Sequence, residues 1–211
     1  TRNIKMTILY IETNFLMTIA KGQDTRADNL LYNPLRSLKM FIPHICYIEA
    51  ITVYKLEKQE KLNFKRDMEL KIREVDRDQT SNYAPLLVQQ LQQAIITNDG
   101  LLNDIESRLT NAINTRINII NVNFNNLKNI CTSVLTQPEI LLIKNDIMDN
   151  IILQSILDHA QLYPQEDKAF ISNNSKDFGK PEVQYALRNA GIRYFTITQH
   201  FLDWFNSRSL T

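Results

Sequence analysis

Thr7-Ile-Leu-Tyr-Ile11, running into Glu12-Thr13-Asn14-Phe15-Leu16, is the stretch that decides the fold. A strand facing water on one side alternates apolar with polar. Ile8 to Ile11 is apolar on both faces, which predicts a strand in the middle of a parallel sheet, covered above and below. After Asn14 the pattern turns helical over residues 15–20. Outward from there, residues 27–38 read as a helix and Lys39-Met-Phe-Ile42 as a second short strand. Pro43 opens a further helix, proline being suited to a first helical position. Its apolar stripe is Ile45, Ile48, Thr52 and Leu56. The helix is expected to run on to about residue 78, because the alternating charges of 57–78 suit a solvated face.

Ser81-Asn82-Tyr83-Ala84-Pro85 breaks that pattern. Residues 85–96 read as a helix, Asn98-Asp99-Gly100 as a turn, and the stripe Leu102, Ile105, Leu109, Ile113, Ile120, Phe124, Leu127, Cys131, Val134 as one long helix. At about 1.5 Å per residue that helix is roughly 50 Å long, more than a compact core needs. It is either an elongated helical layer or an arm for dimerisation or for gripping a partner. After Pro138 the strand–helix rhythm returns: residues 139–143 extended, 146–161 helical, Lys168-Ala-Phe-Ile171 a buried strand, 172–177 a turn, 181–189 a helix, 192–197 a last strand. Strands alternating with helices imply an α/β fold, a parallel sheet with helices on both faces. A helical insertion at about 57–137 interrupts it. The 211 residues suit one domain carrying such an insertion.

Composition excludes several chemistries. Net charge is +1, so nucleic-acid contact must come from local Lys/Arg patches. The four glycines, Gly22, Gly100, Gly179 and Gly191, lie too far apart to build a P-loop or a dinucleotide fingerprint. Cys46 and Cys131 support neither a disulfide framework nor a zinc site and read as buried small hydrophobes. His44, His159 and His200 are scattered and read as surface or capping residues. No apolar run approaches the ~18 residues of a membrane span and no signal peptide is visible, which implies a cytoplasmic protein.

In open α/β sheets, ligands bind beyond the carboxyl ends of the strands. The sequence puts polar residues there twice: Glu12 with Asn14, and Ser172, Asn173, Asn174 and Asp177. A carboxylate closing an apolar strand is costly to desolvate unless it meets a cation or hydrogen-bond donors. Glu49 lies on the apolar side of its helix, suiting a partly buried salt bridge or a ligand. Asp146 has the position of an N-cap and Asp149 that of a capping-box acid, a helix-start role that needs no metal. Asp177 also fits an ordinary turn.

Together these segments resemble the PIN-domain nucleases. Ile8-Leu-Tyr-Ile-Glu12-Thr-Asn14-Phe-Leu resembles the family's opening strand and acid, Pro43…Ile48-Glu49-Ala50 its second acid on a helix, and Asp149-Asn-Ile-Ile-Leu-Gln-Ser-Ile its third. Phe170-Ile-Ser-Asn-Asn-Ser-Lys-Asp177-Phe178 is similar to the late strand and turn, and Gly191-Ile-Arg-Tyr-Phe to the closing strand. The likeness covers about 6–60 and 138–205. It implies a Rossmann-like three-layer domain and an endoribonuclease that hydrolyses phosphodiesters with Mg²⁺ or Mn²⁺, cations that prefer carboxylates and water. Glu12, Glu49, Asp149 and Asp177 are the implied catalytic, metal-binding acids. Asn14 and Ser172 would orient waters or a phosphate oxygen, with Asn173, Asn174 and Asp146 in support. RNA is the implied substrate, in a toxin with an antitoxin-like protein partner or in a defence nuclease, with a homodimer also open. The chain departs from the pattern twice: Glu12 stands where Asp is usual, and Asn174 where an acid is frequent, leaving Asp177, or Asn173 or Asn174 through water, for the fourth place. Those departures keep open a second reading, a non-cleaving scaffold that acts as an interaction module through its helical arm.

Overall fold

The computed structural model describes residues 6–33, 35–115, 117–144 and 146–209. Five parallel strands make one sheet: β1 (Thr7–Ile11), β2 (Leu38–Pro43), β3 (Ile117–Ile120), β4 (Asp167–Ile171) and β5 (Ile192–Phe195), in the order β3-β2-β1-β4-β5. β1 is central and buried along its whole length, as its two apolar faces require. The chain steps from β1 through β2 to β3, then returns to the other side of β1 for β4 and β5. Right-handed crossovers in opposite directions put helices on opposite faces, giving three layers. One layer holds α1 (Thr13–Ala20) and two long helices, α3 (His44–Val75) and α4 (Ala84–Thr115), both of which pack on α1. The other holds α6 (Ile147–Gln161) with α7 (Ser175–Phe178) and α8 (Pro181–Asn189). The short α2 (Thr25–Tyr32) meets the last helix, α9 (Thr198–Ser209), where the Thr198 hydroxyl donates to Asp24 at 2.6 Å.

The sheet's layout fixes where polar groups end up. β1 turns directly into α1 at Glu12, and β4 pairs with β1 in the register Ile11↔Ile171, so Glu12 and Ser172 leave the sheet side by side. That edge is the switch point of the strand order, where open α/β sheets form a crevice. Two glycines hold the surrounding turns. At Gly179 a Cβ would meet the Ser175 carbonyl oxygen at 2.2 Å, so only glycine allows the tight step from α7 to α8. Gly191, at φ +71, ends α8 in the left-handed conformation.

The region read as a long helical insertion is organised differently. α3 and α4 form an antiparallel hairpin. α4 repeats Ala84, Val88, Leu91, Ile95, Asn98, Leu102, Ile105, Leu109, Ala112 at alternating steps of four and three, every one at least half-buried. This is a two-helix coiled-coil seam. Its centre is polar: Lys65 bonds Asp99 at 2.8 Å and the Asn98 amide donates to the Lys61 carbonyl at 3.1 Å, a layer that fixes register. Among the described residues, Ala84 is the only fully buried hydrophobic between Ala50 and Leu102, so the outer hairpin rests on its own seam.

Several expectations are corrected. Asn98-Asp99-Gly100 is helix interior, not a turn, because Asn98 belongs to the seam and Gly100 faces outward with nothing near it. The single helix through Val134 is broken by β3, where the β-branched run Ile117-Asn-Ile-Ile120 adds an edge strand and Asn118 donates to the Met40 carbonyl at 3.0 Å. Its remainder, α5 (Phe124–Thr136), has no buried residue. Residues 139–143 are not a strand: Pro138–Ile140 is a 3₁₀ turn. α3 buries Cys46, Tyr47 and Ala50, whereas Ile48 and Leu56 of the expected stripe are exposed. Cys131 is exposed. His159 is half-buried, 3.0 Å from the Tyr10 hydroxyl and 4.4 Å from the Phe41 ring centre to centre, so it packs rather than lying on the surface. The expected domain span of 1–211 includes 1–5 and 210–211, which lie outside the described residues.

Candidate active site

Glu12 is 3 % exposed although it ends a strand. Its carboxylate caps α1, accepting from the Asn14 amide at 2.7 Å and the Phe15 amide at 3.2 Å, and the Ser172 hydroxyl also bonds it. Burial dominates these donors, and the Asp149 charge adds to it. Together they push the Glu12 carboxyl up to about 7.

Glu49 sits one turn into α3, held by the Thr13 hydroxyl, which donates to it. Burial raises its acid range, and Asp146 raises it further. Asp149 lies in the first turn of α6. Asp146 is the N-cap of that helix, accepting from the Asp149 amide at 2.9 Å. The Asp149 carboxylate takes no part in capping and instead accepts from the Asn174 side-chain amide at 2.9 Å. Burial first, then the charges of Asp146, Asp177 and Glu49, push Asp149 up to about 7.

Asn174 bridges two elements. Its amide nitrogen serves Asp149 while its oxygen accepts from the Asp177 backbone at 3.3 Å, starting α7. Ser172, fully buried, accepts from the Asn174 backbone at 3.0 Å, and its carbonyl takes the Tyr194 hydroxyl at 3.0 Å. Asp177 behaves unlike the other acids. Lys180 bonds it at 2.8 Å and holds its carboxyl below the usual range. The exposed Asn14 and Asn173 enter the network through the Asn14 amide on Glu12 and the Asn173 carbonyl, which accepts from Ser175.

Glu12, Glu49, Asp146, Asp149 and Asp177 thus gather in one another's field at the carboxyl edge of the sheet, from four separate segments. Thr13 and Lys180 were not singled out by sequence. Thr13 stood inside the Glu12-Thr-Asn14 motif, and Lys180, three residues after Asp177, had the spacing of a local ion pair. Among the described residues, no three acidic, Cys or His side chains are close enough to hold a metal ion as they stand. Each acid is turned onto a protein donor instead. The donor set, oxygen atoms of mutually repelling carboxylates, nonetheless suits a hard divalent cation, which takes carboxylate oxygens and water.

Residues 9–178 match the family model described as PIN domain. No curated protein matches the chain. Among solved structures, the chain is similar to the crystal structure of VapBC2 from Rickettsia felis bound to a DNA fragment from their promoter, at 12% identity over 90% of this chain and 99% of that one, with a TM-score of 0.40. A likeness that loose carries no argument about activity or partners. The family model spans most of the chain and includes all five acids of the cluster, and on that match the chain belongs to the PIN domain family.

Proposed function

We propose that the protein is a nuclease that uses Mg²⁺ or Mn²⁺ to hydrolyse phosphodiester bonds in RNA, acting as an endoribonuclease in the cytoplasm. The observation that supports this most is the pair of carboxyls, Glu12 and Asp149, pushed up to about 7 by burial and by neighbouring acids. A fold gains nothing structural from crowding acids in this way, and strongly perturbed carboxyls in a crevice mark functional sites. In this reading Glu12, Glu49, Asp149 and Asp177 hold the cation. For that, Glu12 would turn from its cap on α1, Glu49 from the Thr13 hydroxyl, and Asp177 would exchange Lys180 for the ion. The bound cation would supply a more acidic water and charge stabilisation at the scissile phosphate. Thr13 orients Glu49, Asn174 orients Asp149, Ser172 supports Glu12, and Asn14 and Asn173 at the rim bond waters or phosphate oxygens. Lys180, once released, faces the phosphate.

The family resemblance also supports a toxin paired with an antitoxin-like protein, or a defence nuclease, in one domain whose α3–α4 hairpin serves partner binding or a homodimer. One observation favours the non-cleaving scaffold reading: Asn174 places an amide where an acid would complete the cluster, and it already occupies an Asp149 oxygen with a hydrogen bond. Incubating the protein with labelled single-stranded RNA, structured RNA and DNA, with each cation and with chelator, tests the proposal. Cation-dependent endonucleolytic cutting of RNA is expected. No cutting of any substrate with either cation favours the scaffold.

A further inference from the structure

A cavity of 550 Å³ opens between the end of α5, the 3₁₀ turn and the start of α6. That is within the range of small-molecule sites, roughly 300–1,000 Å³. Its walls are Val134, Pro138, Leu141 and Ile147, and its polar groups are Lys144, Asp146 and Glu139. Asp146 belongs both to this cavity and to the acid cluster: it caps α6 through the Asp149 amide, and its charge acts on Glu49 and Asp149. Asp149 follows one helical turn later, where Cβ atoms lie about 5–6 Å apart. The cavity therefore adjoins the place where a scissile phosphate would sit.

Its chemistry is mixed in a way that fits one part of a nucleic acid. The aliphatic walls of Val134, Pro138, Leu141 and Ile147 cover the apolar face of a base. Two carboxylates beside those walls accept hydrogen bonds from exocyclic amino groups, which A, C and G carry and U lacks. Lys144 offers a cation for a phosphate. A purely apolar protein segment would leave three charged groups facing it, a costly arrangement.

We infer that this cavity holds the base next to the cut and gives the nuclease a preference for an amino-bearing base at that position. The inference rests on the proposed RNA cleavage. Its test is a random-sequence RNA pool digested in Mn²⁺ and sequenced at the cut ends, for wild type, Val134→Trp and Ile147→Trp. Both substituted positions lie outside the acid cluster, Val134 on a helix with no buried residue and Ile147 exposed, so the indole fills the cavity without entering the core. Expected is enrichment of A, C or G over U on one side of the wild-type cut. In both variants that enrichment falls at least fivefold, while total cutting stays within about threefold of wild type. Unchanged enrichment in variants that still cut overturns the inference and leaves the nuclease reading standing, and it is also what a protein segment as occupant would give. A wild-type cut with no base preference, or with U preferred, overturns it as well. If wild type cuts nothing in the pool, the nuclease reading falls and takes this inference with it.

Discussion

Glu12→Gln exchanges a buried carboxylate for a neutral amide of nearly the same shape, and its effect on stability changes sign with pH. The folded state raises the carboxyl from 4.5 to about 7, burial being the main cause. At about 1.4 kcal/mol per unit, holding the ionised form is unfavourable to the fold by roughly 3 kcal/mol once pH exceeds 7. Between 4.5 and 7 the folded state binds the proton and the unfolded state does not, so the penalty shrinks as pH falls and is gone below 4.5. Against this, the amide has one acceptor oxygen where the carboxylate serves three donors, the Asn14 and Phe15 backbone amides and the Ser172 hydroxyl. Losing one such bond costs about 1–2 kcal/mol. At pH 8 the variant is therefore more stable by about 1–2 kcal/mol, which at about 2–4 °C per kcal/mol for a chain of this size raises Tm by about 2–8 °C. At pH 5 the lost bond dominates and the variant melts lower than wild type. Thermal melts by circular dichroism from pH 5 to 8, in chelator, read this directly. A variant that melts lower than wild type by the same margin at every pH would refute the reasoning, since Glu12 would then be an ordinary capping residue.

Divalent cation should raise the wild-type Tm, because a ligand that binds only the folded state stabilises it by about 2.7 kcal/mol at a hundred times its Kd. Asp149→Asn should lose at least half of that rise in the same thermal titration. Asn174→Asp replaces the amide that donates to Asp149 at 2.9 Å with a further charge. Its Tm in chelator at pH 8 should fall by several degrees while its rise with Mn²⁺ grows, and equal rises in the two proteins would refute this. Leu109→Lys combined with Ile113→Lys puts charge where α4 packs into the core, Leu109 being buried and Ile113 packed against it. The pair should cost more than about 3 kcal/mol, read as loss of the cooperative melt. A native-like melt would show that this seam does not support the fold.

β1, β2 and β4 were legible because they are short, largely buried apolar runs, and the polar residues that follow β1 and β4 mark the carboxyl edge of the sheet. Glu12 and Asn174 are visible in that way and Asp149 through its helix-start position and the family resemblance, yet the 2.9 Å bond from Asn174 to Asp149 spans elements that no local pattern joins. Periodicity misled elsewhere. Ile113, Ile120, Leu127 and Val134 continue a seven-residue spacing across a helix end, a strand and a new helix, so the pattern concealed β3. On α3, Ile48 and Leu56 are as apolar as the buried face, and only packing against α1 and α4 selects Cys46, Tyr47 and Ala50. The ion pair of Lys180 with Asp177 escaped notice because such spacing is common on any surface.

If the crowded acids do the chemistry, removing the charge of any one of them slows cleavage. Single-turnover cleavage of an end-labelled single-stranded RNA in Mn²⁺ measures this for wild type, Glu12→Gln and Asp149→Asn, each verified as folded by its melt. Loss of one charged ligand changes the electrostatics at the reacting phosphate, where single contributions are worth about 10²–10³ in rate. Wild type should cut, and both variants should be slower by at least a hundredfold. Variants that cut at the wild-type rate would place the chemistry elsewhere on the chain.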